Sequence, residues 1–419
     1  MHQNGFYKSI DMQIVSNEKR DLASILDEDY KRIYMNNAPS FPIELAPYFI
    51  SNEELNKISF LSTCISKAVS LASDMMKNSA ILPAILRPSG VVFQSSRPET
   101  FLIRSDIVTE SSSGERKIIE VNASDPSGLG LLSSIDVYAQ RIFRSKIPFK
   151  PILCLRKLSD SIHGLFNHED LSIALTQSQF SPVIFDFACL GQALRNMNIP
   201  SRFFLAEDLP QADLRRNEII WRDSTDDFLD DPVKKVVSFR AESIINPLGA
   251  DYLDSKGLIA IFSNPKFLDH LDPQTGISLK KATPFTFFLS EKLVFTGDSW
   301  VSPWELLAKN KENYILKPLV GYGGQGIIAG IHSTDNEWNE ALGAAKTGPG
   351  HWIGQEYVES KPRFVARLTQ RKIDFEKQKI VEGIWSIKDQ FLGILMRYSK
   401  NRIINALTGA TFASTATIW

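Results

Sequence analysis

FLIRSDIVTESSSGERKIIEVNASDPSG, residues 101–128, reads as two β-rich runs around the turn SSSG. Ser and Gly supply turn chemistry, and the flanking Ile, Val and Thr suit strands, so the stretch is a β-hairpin. A turn centred near Ser113 sets Asp106 opposite Glu120 and Arg104 opposite Asn122. Strand side chains alternate, so Arg104 and Asp106 share one face, as do Glu120 and Asn122. Two carboxylates directly opposite one another repel and weaken a hairpin. A divalent cation between them removes that cost. Asp106, Glu120 and the Asn122 amide oxygen are hard oxygen donors, which suit Mg²⁺ held together with substrate phosphates. Arg104 beside them is placed to hold a phosphoryl oxygen. The plain alternative is the solvated polar face of an ordinary hairpin.

A second segment, YILKPLVGYGGQGIIAGI (314–331), reads as strand, loop and strand, with Gly321, Gly323, Gly324 and Gly326 in the loop. It satisfies G-x-G-x-x-G formally, but a dinucleotide fingerprint needs a helix after the glycines, and IIAGI is short and β-like. A kinase-type loop places its lysine afterwards and is followed by H-R-D and D-F-G, neither of which occurs. No G-x-x-x-x-G-K-[ST] is present either. What remains is a hairpin loop whose backbone N–H groups can close over phosphates, with Lys317 entering from the first strand. Downstream, HWIGQEYVES (351–360) reads as a strand ending in Gln355, Glu356, Tyr357 and Val358. Such a segment can hydrogen-bond an adenine, or can equally be a buried strand with a polar edge.

Together these elements resemble the ATP-grasp superfamily, which joins a carboxylate to an amine or thiol through an acyl phosphate. The metal hairpin precedes Lys317 and its loop, an order similar to the circularly permuted branch that includes glutathionylspermidine synthetase-like proteins and natural-product amino-acid ligases. INPLGADYLDSKGLIAIF (245–262) and GILMRYSKNRIINALTGAT (393–411) are further similar stretches. The resemblance implies an α/β (α+β) ATP-grasp fold with an additional α/β three-layer domain. It implies Mg²⁺ ligation by Asp106, Glu120 and Asn122, and a phosphoryl-steadying role for Arg104. Lys256 and Lys317 would hold the α- and β-phosphates of ATP under Gly321, Gly323, Gly324 and Gly326. Gln355, Glu356 and Val358 would line the adenine site, with Arg397 and Asn405 near the acyl phosphate or substrate. The implied acyl donor is an amino acid or small peptide-like carboxylate. The acceptor is an amine or the thiol of an acyl carrier protein, as in antibiotic-type biosynthesis.

Organisation along the chain is softer. Residues 53–77 carry apolar positions at helical spacing behind Ser51 and Asn52 as caps. PILCL (151–155), SIALT (172–176), SRFFLAED (201–208) and EIIWRD (218–223) read as strands, and 182–197 as a helix, an alternation that predicts an α/β unit. The acidic stretch 223–231 reads as a solvated loop. The expected divisions are 1–148, helical segment plus metal hairpin; 149–250, the α/β unit; and 251–419, the nucleotide-binding lobes. Arg202, Arg222 and Arg240 are candidates for pairing with an acidic substrate, although surface arginines are commoner.

The 419 residues are 43% hydrophobic and 23% charged, ordinary for a globular protein with a real core. With 47 Lys plus Arg against 48 Asp plus Glu, the chain lacks the basic excess of a nucleic-acid binder. Cys64, Cys154 and Cys189 have no metal-like spacing and read as reduced thiols of a cytoplasmic protein. The histidines form no H-E-x-x-H, which argues against zinc hydrolase chemistry. No apolar run is long enough for a membrane span, and no leader is expected in the first residues. Two other classes compete with a ligase: a catalytically degenerate ATP sensor or scaffold, and a dehydrogenase built on the glycine pattern. The first would lack one of Arg104, Asp106, Glu120 or Lys317, all of which are present; the β-character after Gly326 argues against the second.

Overall fold

Among the described residues, strands from both halves of the chain build one sheet, and the middle builds two four-stranded sheets and a small two-stranded one. The computed structural model describes residues 22–38, 41–78, 102–124, 126–143, 149–152, 155–166, 171–177, 183–215, 217–222, 234–237, 244–248, 250–321, 324–348, 351–368, 373–401, 404 and 409–418. The chain first lays down β1 (Ile43–Ile50), β2 (Leu102–Thr109), β3 (Arg116–Asn122) and β4 (Phe149–Pro151). Then β5 (Ser172–Gln177), β6 (Ser201–Leu205), β7 (Glu218–Arg222) and β8 (Ile244–Ile245) form a separate parallel sheet in the order β6-β5-β7-β8. Next come β9 (Thr286–Phe288), the small hairpin β10 (Val294–Phe295) and β11 (Trp300–Val301), and then β12 (Tyr314–Pro318), β13 (Ile328–Ala329) and β14 (Trp352–Glu356). Of these, β13-β12-β14-β9 is an antiparallel sheet. Finally β15 (Arg363–Leu368), β16 (Ile373–Ile387), β17 (Gln390–Ser399) and β18 (Thr411–Ile418) return to the first strands. The shared sheet runs β1-β18-β17-β16-β2-β3, with β15 on β16 and β4 on β18.

The two faces of that sheet are covered by different helices. The predicted helix spans Asn52–Asn78 and opens on a reciprocal cap, in which Ser51 Oγ accepts the Glu54 N–H at 3.1 Å and a Glu54 carboxylate oxygen accepts the Ser51 N–H at 3.2 Å. Its apolar stripe (Ile58, Ile65, Ala68, Val69, Ala72) packs in one core with Ile103, Ile107, Ile118, Ile384 and Met396. The opposite face contributes Leu102, Trp385, Leu395 and Phe412 to a second core with the helix Leu129–Phe143 and the parallel sheet. At the far end of this second face the apolar side chains give way to Arg104, Asp106 and Arg397.

Several local expectations shift. The strand expected at 151–155 is instead β4, ending at Pro151, and Leu155 begins the helix Leu155–Phe166. A short apolar run carries no period that separates strand from helix. The strand from Ser201 stops at Leu205, and Ala206–Gln211 winds into a 3₁₀ turn containing Pro210, which cannot donate to a sheet ladder. The helix expected over 182–197 is Ile184–Asn196. Arg202 pairs with buried Glu218, and buried Arg222 donates to the Asn246 and Pro247 carbonyls, so both are spent inside the parallel-sheet unit. Arg240, Cys154, the acidic stretch 223–230 and Asp231 lie outside the described residues. Cys64 and Cys189 are free and buried, and burial pushes both thiols up, as expected for inert core cysteines. Among the described residues no helix is long and apolar enough to cross a membrane.

Candidate functional site

The hairpin β2–β3 places Arg104 opposite Asn122 and Asp106 opposite Glu120. Its four-residue loop closes with the Glu110 N–H on the Glu115 carbonyl, and Gly114 takes the left-handed conformation (φ 73°) that the turn requires. From the turn to Ile107 the register runs one residue short of the expected one: Thr109 faces Arg116 and Ile107 faces Ile118. A β-bulge at Ile119 then restores it, so that Glu120 and not Ile119 lies across from Asp106.

Asp106 is 3% exposed and sits between two guanidiniums. Arg104 Nε is 3.1 Å from its Oδ1, and Arg397 Nη2 reaches the same oxygen from β17. Burial pushes the Asp106 carboxyl up, but Arg104 and Arg397 outweigh it and hold the group below the usual carboxylate range. Asp106 is therefore an anion at neutral pH. Arg104 also donates to the Ser127 carbonyl at 2.7 Å, which fixes the loop after β3. The Asn122 amide donates to the Arg104 carbonyl at 3.3 Å. Arg397 is 92% buried, since 8% of it is exposed, and its Nε has no hydrogen-bond partner among the described residues.

Two lysines close on the hairpin from other elements. Lys256 lies just ahead of the helix Gly257–Phe262; its Nζ is 3.1 Å from Glu120 Oε1 and donates to the Gly321 carbonyl at 2.5 Å. Lys317, on β12, donates to the carbonyl of the bulged residue Ile119 at 3.0 Å. A bulge leaves its extra residue out of the ladder, so this carbonyl is available to a side chain. Burial pushes the Lys317 ammonium down to about 8; Glu120 and Asp106 counteract that, and Lys256 adds to it.

After β12 the chain turns through Gly321 (φ 149°), Gly324 (φ 78°) and Gly326 (φ 70°), conformations in which a side chain would be strained. Gly323 lies outside the described residues, as does Asn405. On β14, Ile353 pairs with Lys317 and Gln355 with Ile315, so Lys317 and Gln355 share a face. Gln355 is buried, its amide nitrogen 3.2 Å from Thr286 Oγ1. Glu356 points to the other face, exposed, with its carboxylate accepting the Phe285 N–H at 3.2 Å; Val358 is half-buried in the loop that follows.

The structure thus gathers Arg104, Asp106, Glu120, Asn122, Lys256, Lys317 and Arg397. Among the described residues there is no group of three His, Cys, Asp or Glu side chains arranged to hold a metal. Two carboxylates and an amide oxygen nevertheless fit Mg²⁺ whose remaining positions are filled by phosphate oxygens and water. Two acidic residues that the sequence reading missed frame the site. Asp254 accepts the N–H groups of Ala123 and Ser124, the latter at 2.9 Å. Buried Asp186 accepts the Gly128 N–H at 2.8 Å and the Leu131 N–H at 2.6 Å, capping the helix Leu129–Phe143.

No family model matches the chain. It is 21% identical to an uncharacterized protein of Mycobacterium leprae over 88% of its own length and 71% of that protein's. An uncharacterized protein of Mycobacterium tuberculosis is likewise 21% identical over 71% of the chain, which spans 56% of that relative. The solved structure of a glutathione synthetase-like effector from Globodera pallida, in its apo form, superposes with a TM-score of 0.58 at 12% identity, covering 98% of this chain and 99% of that one. The chain therefore has a mixed α/β, ATP-grasp-like fold, similar over nearly its whole length to that effector.

Proposed function

We propose that the chain is an ATP- and Mg²⁺-dependent carboxylate ligase of the circularly permuted ATP-grasp kind. One observation carries the reading: Lys256 and Lys317, from two separate elements, converge on the hairpin that bears Arg104, Asp106, Glu120 and Asn122. Such a mixture of cations and hard oxygens is what a metal–triphosphate needs. The fold shared with a glutathione synthetase-like protein supports the same class.

In this reading an amino acid or peptide-like carboxylate attacks the γ-phosphorus of ATP. The bond to the β,γ-bridging oxygen breaks and ADP leaves with its electron pair. An amine, or the thiolate of a carrier protein, then adds to the acyl carbonyl; phosphate departs, and an attacking amine releases its proton to solvent. No protein nucleophile is required, because positioning and charge neutralisation lower the barrier. Asp106, Glu120 and Asn122 would hold Mg²⁺, which would supply charge neutralisation at the phosphoryl oxygens. Lys256 and Lys317 hold the α- and β-phosphates, Arg104 steadies the transferred phosphoryl group, and Arg397 stands beside it toward the acyl donor. Gly321–Gly326 covers the phosphates and limits hydrolysis of the acyl phosphate, while Gln355, on the Lys317 face of β14, lines the adenine and Glu356 and Val358 flank it at the end of the strand.

The test is nucleotide product analysis with purified protein, Mg·ATP and pools of amino acids, with and without a holo carrier protein. ADP and phosphate formed only with a particular acid support the reading, and dependence on the carrier identifies a thiol acceptor. AMP and pyrophosphate would refute it. Binding of Mg·ATP with no turnover in any pool would favour an ATP sensor instead.

A further inference from the structure

We infer that Asp254 is a positioning residue for the metal end of the site, an assignment that rests on the ligase reading above. Asp254 belongs to the turn that also delivers Lys256, yet its carboxylate reaches the other half of the site. Its Oδ1 accepts two successive backbone N–H groups, those of Ala123 and Ser124. These residues follow Asn122 directly, at the point where β3 leaves its ladder with β2. Ala123 and Ser124 are fully buried, so their N–H groups need an acceptor, and the ladder no longer supplies one. One carboxylate oxygen therefore fixes where the end of β3, and with it Asn122, comes to rest.

The same carboxylate acts on Arg104, whose guanidinium charge it helps to stabilise together with Asp106 and Glu120. Asp254 thus sets the backbone after Asn122 and favours the Arg104 cation. Because it precedes Lys256 by two residues, it also ties the phosphate-binding lysine to the metal hairpin. A neutral side chain could satisfy the two N–H groups; a carboxylate does so while adding a negative charge that favours the Arg104 cation.

The experiment is calorimetric binding of a non-hydrolysable ATP analogue to the full chain over a series of Mg²⁺ concentrations, alongside thermal melting. In Asp254→Ala the Mg²⁺ concentration for half-maximal strengthening of binding should rise about tenfold, the scale at which groups that orient metal ligands act. Asp254→Asn, which keeps an acceptor oxygen, should stay within about threefold of the parent. If Asp254→Ala does not fold, Asp254→Ser, with one hydroxyl for two N–H groups, is read in its place and should show the same upward shift. An unshifted Mg²⁺ dependence with only a lower melting temperature would overturn the positioning role and leave the ligase reading standing. A parent protein whose binding of the analogue ignores Mg²⁺ would overturn both.

Discussion

Lys317 is the residue on which a pH experiment turns. Its ammonium is pushed down to about 8 by burial, from the ordinary 10.5. Between those values the unfolded chain holds a proton that the folded chain has lost, so stability should rise with pH across that window. In the proposed function Lys317 holds a phosphate as a cation, so affinity for Mg·ATP should fall over the same range. These opposite trends separate a local effect from general unfolding, and calorimetry and melting at pH 7, 8 and 9 would resolve them. Lys317→Arg, which stays charged, should flatten the affinity profile. Asp106 gives a second prediction. Its charge is shared between Arg104 and Arg397, so a metal must draw it away from them. Asp106→Asn should abolish the strengthening of nucleotide binding by Mg²⁺, a loss of tenfold or more; unchanged Mg²⁺ dependence would remove Asp106 from the metal set. Arg397 approaches Asp106 from a strand near the far end of the chain, and nothing in the local sequence of either announces the meeting.

At the scale of elements, the hairpin was legible because turn chemistry and the period of two act locally. Asp254 and Asp186 were not, because an acid that accepts backbone N–H groups leaves no side-chain pattern around it. On the reverse face of the same strands, Arg116 forks onto buried Glu382, with Nε at 2.7 Å and Nη2 at 3.3 Å, and also approaches Glu54 in the first turn of the helix Asn52–Asn78. This cluster locks the helix to the sheet away from the proposed chemistry. Glu382→Gln leaves a buried guanidinium without its main counter-charge and should cost about 3 kcal/mol in denaturant unfolding. The nucleotide dissociation constant should not move; a large change in affinity would mean that the two faces of the sheet are coupled.

At the scale of the whole molecule, Lys317 sits on a different sheet from the β2–β3 hairpin and Lys256 in the turn ahead of a helix, so a Mg·nucleotide held as proposed would tie these elements together. Binding to the folded state alone stabilises it by about 2.7 kcal/mol at a hundredfold excess over Kd. The melting temperature should therefore rise with ATP plus Mg²⁺, and chelation with EDTA should erase most of the gain. An equal shift with EDTA present would argue that the nucleotide binds without a metal. The sheet plan was only partly readable from sequence. Alternating strands and helices marked the parallel sheet, but the pairing of β2 with β16 joins segments far apart in the chain, where no local period reaches.

The bulge at Ile119 gives the spacing between Asp106 and Glu120 a parity. Within a regular ladder each added residue slips every later pair and turns one strand's polar face toward the core. Here the adjacent Ile118 and Ile119 break the alternation once, and that single break brings the two carboxylates face to face. A one-residue insertion or deletion in the 111–114 loop is thus tolerable only if the bulge is gained, lost or moved to compensate. A change in the number of residues between the two acids keeps them paired only when the two irregularities, turn and bulge, change together.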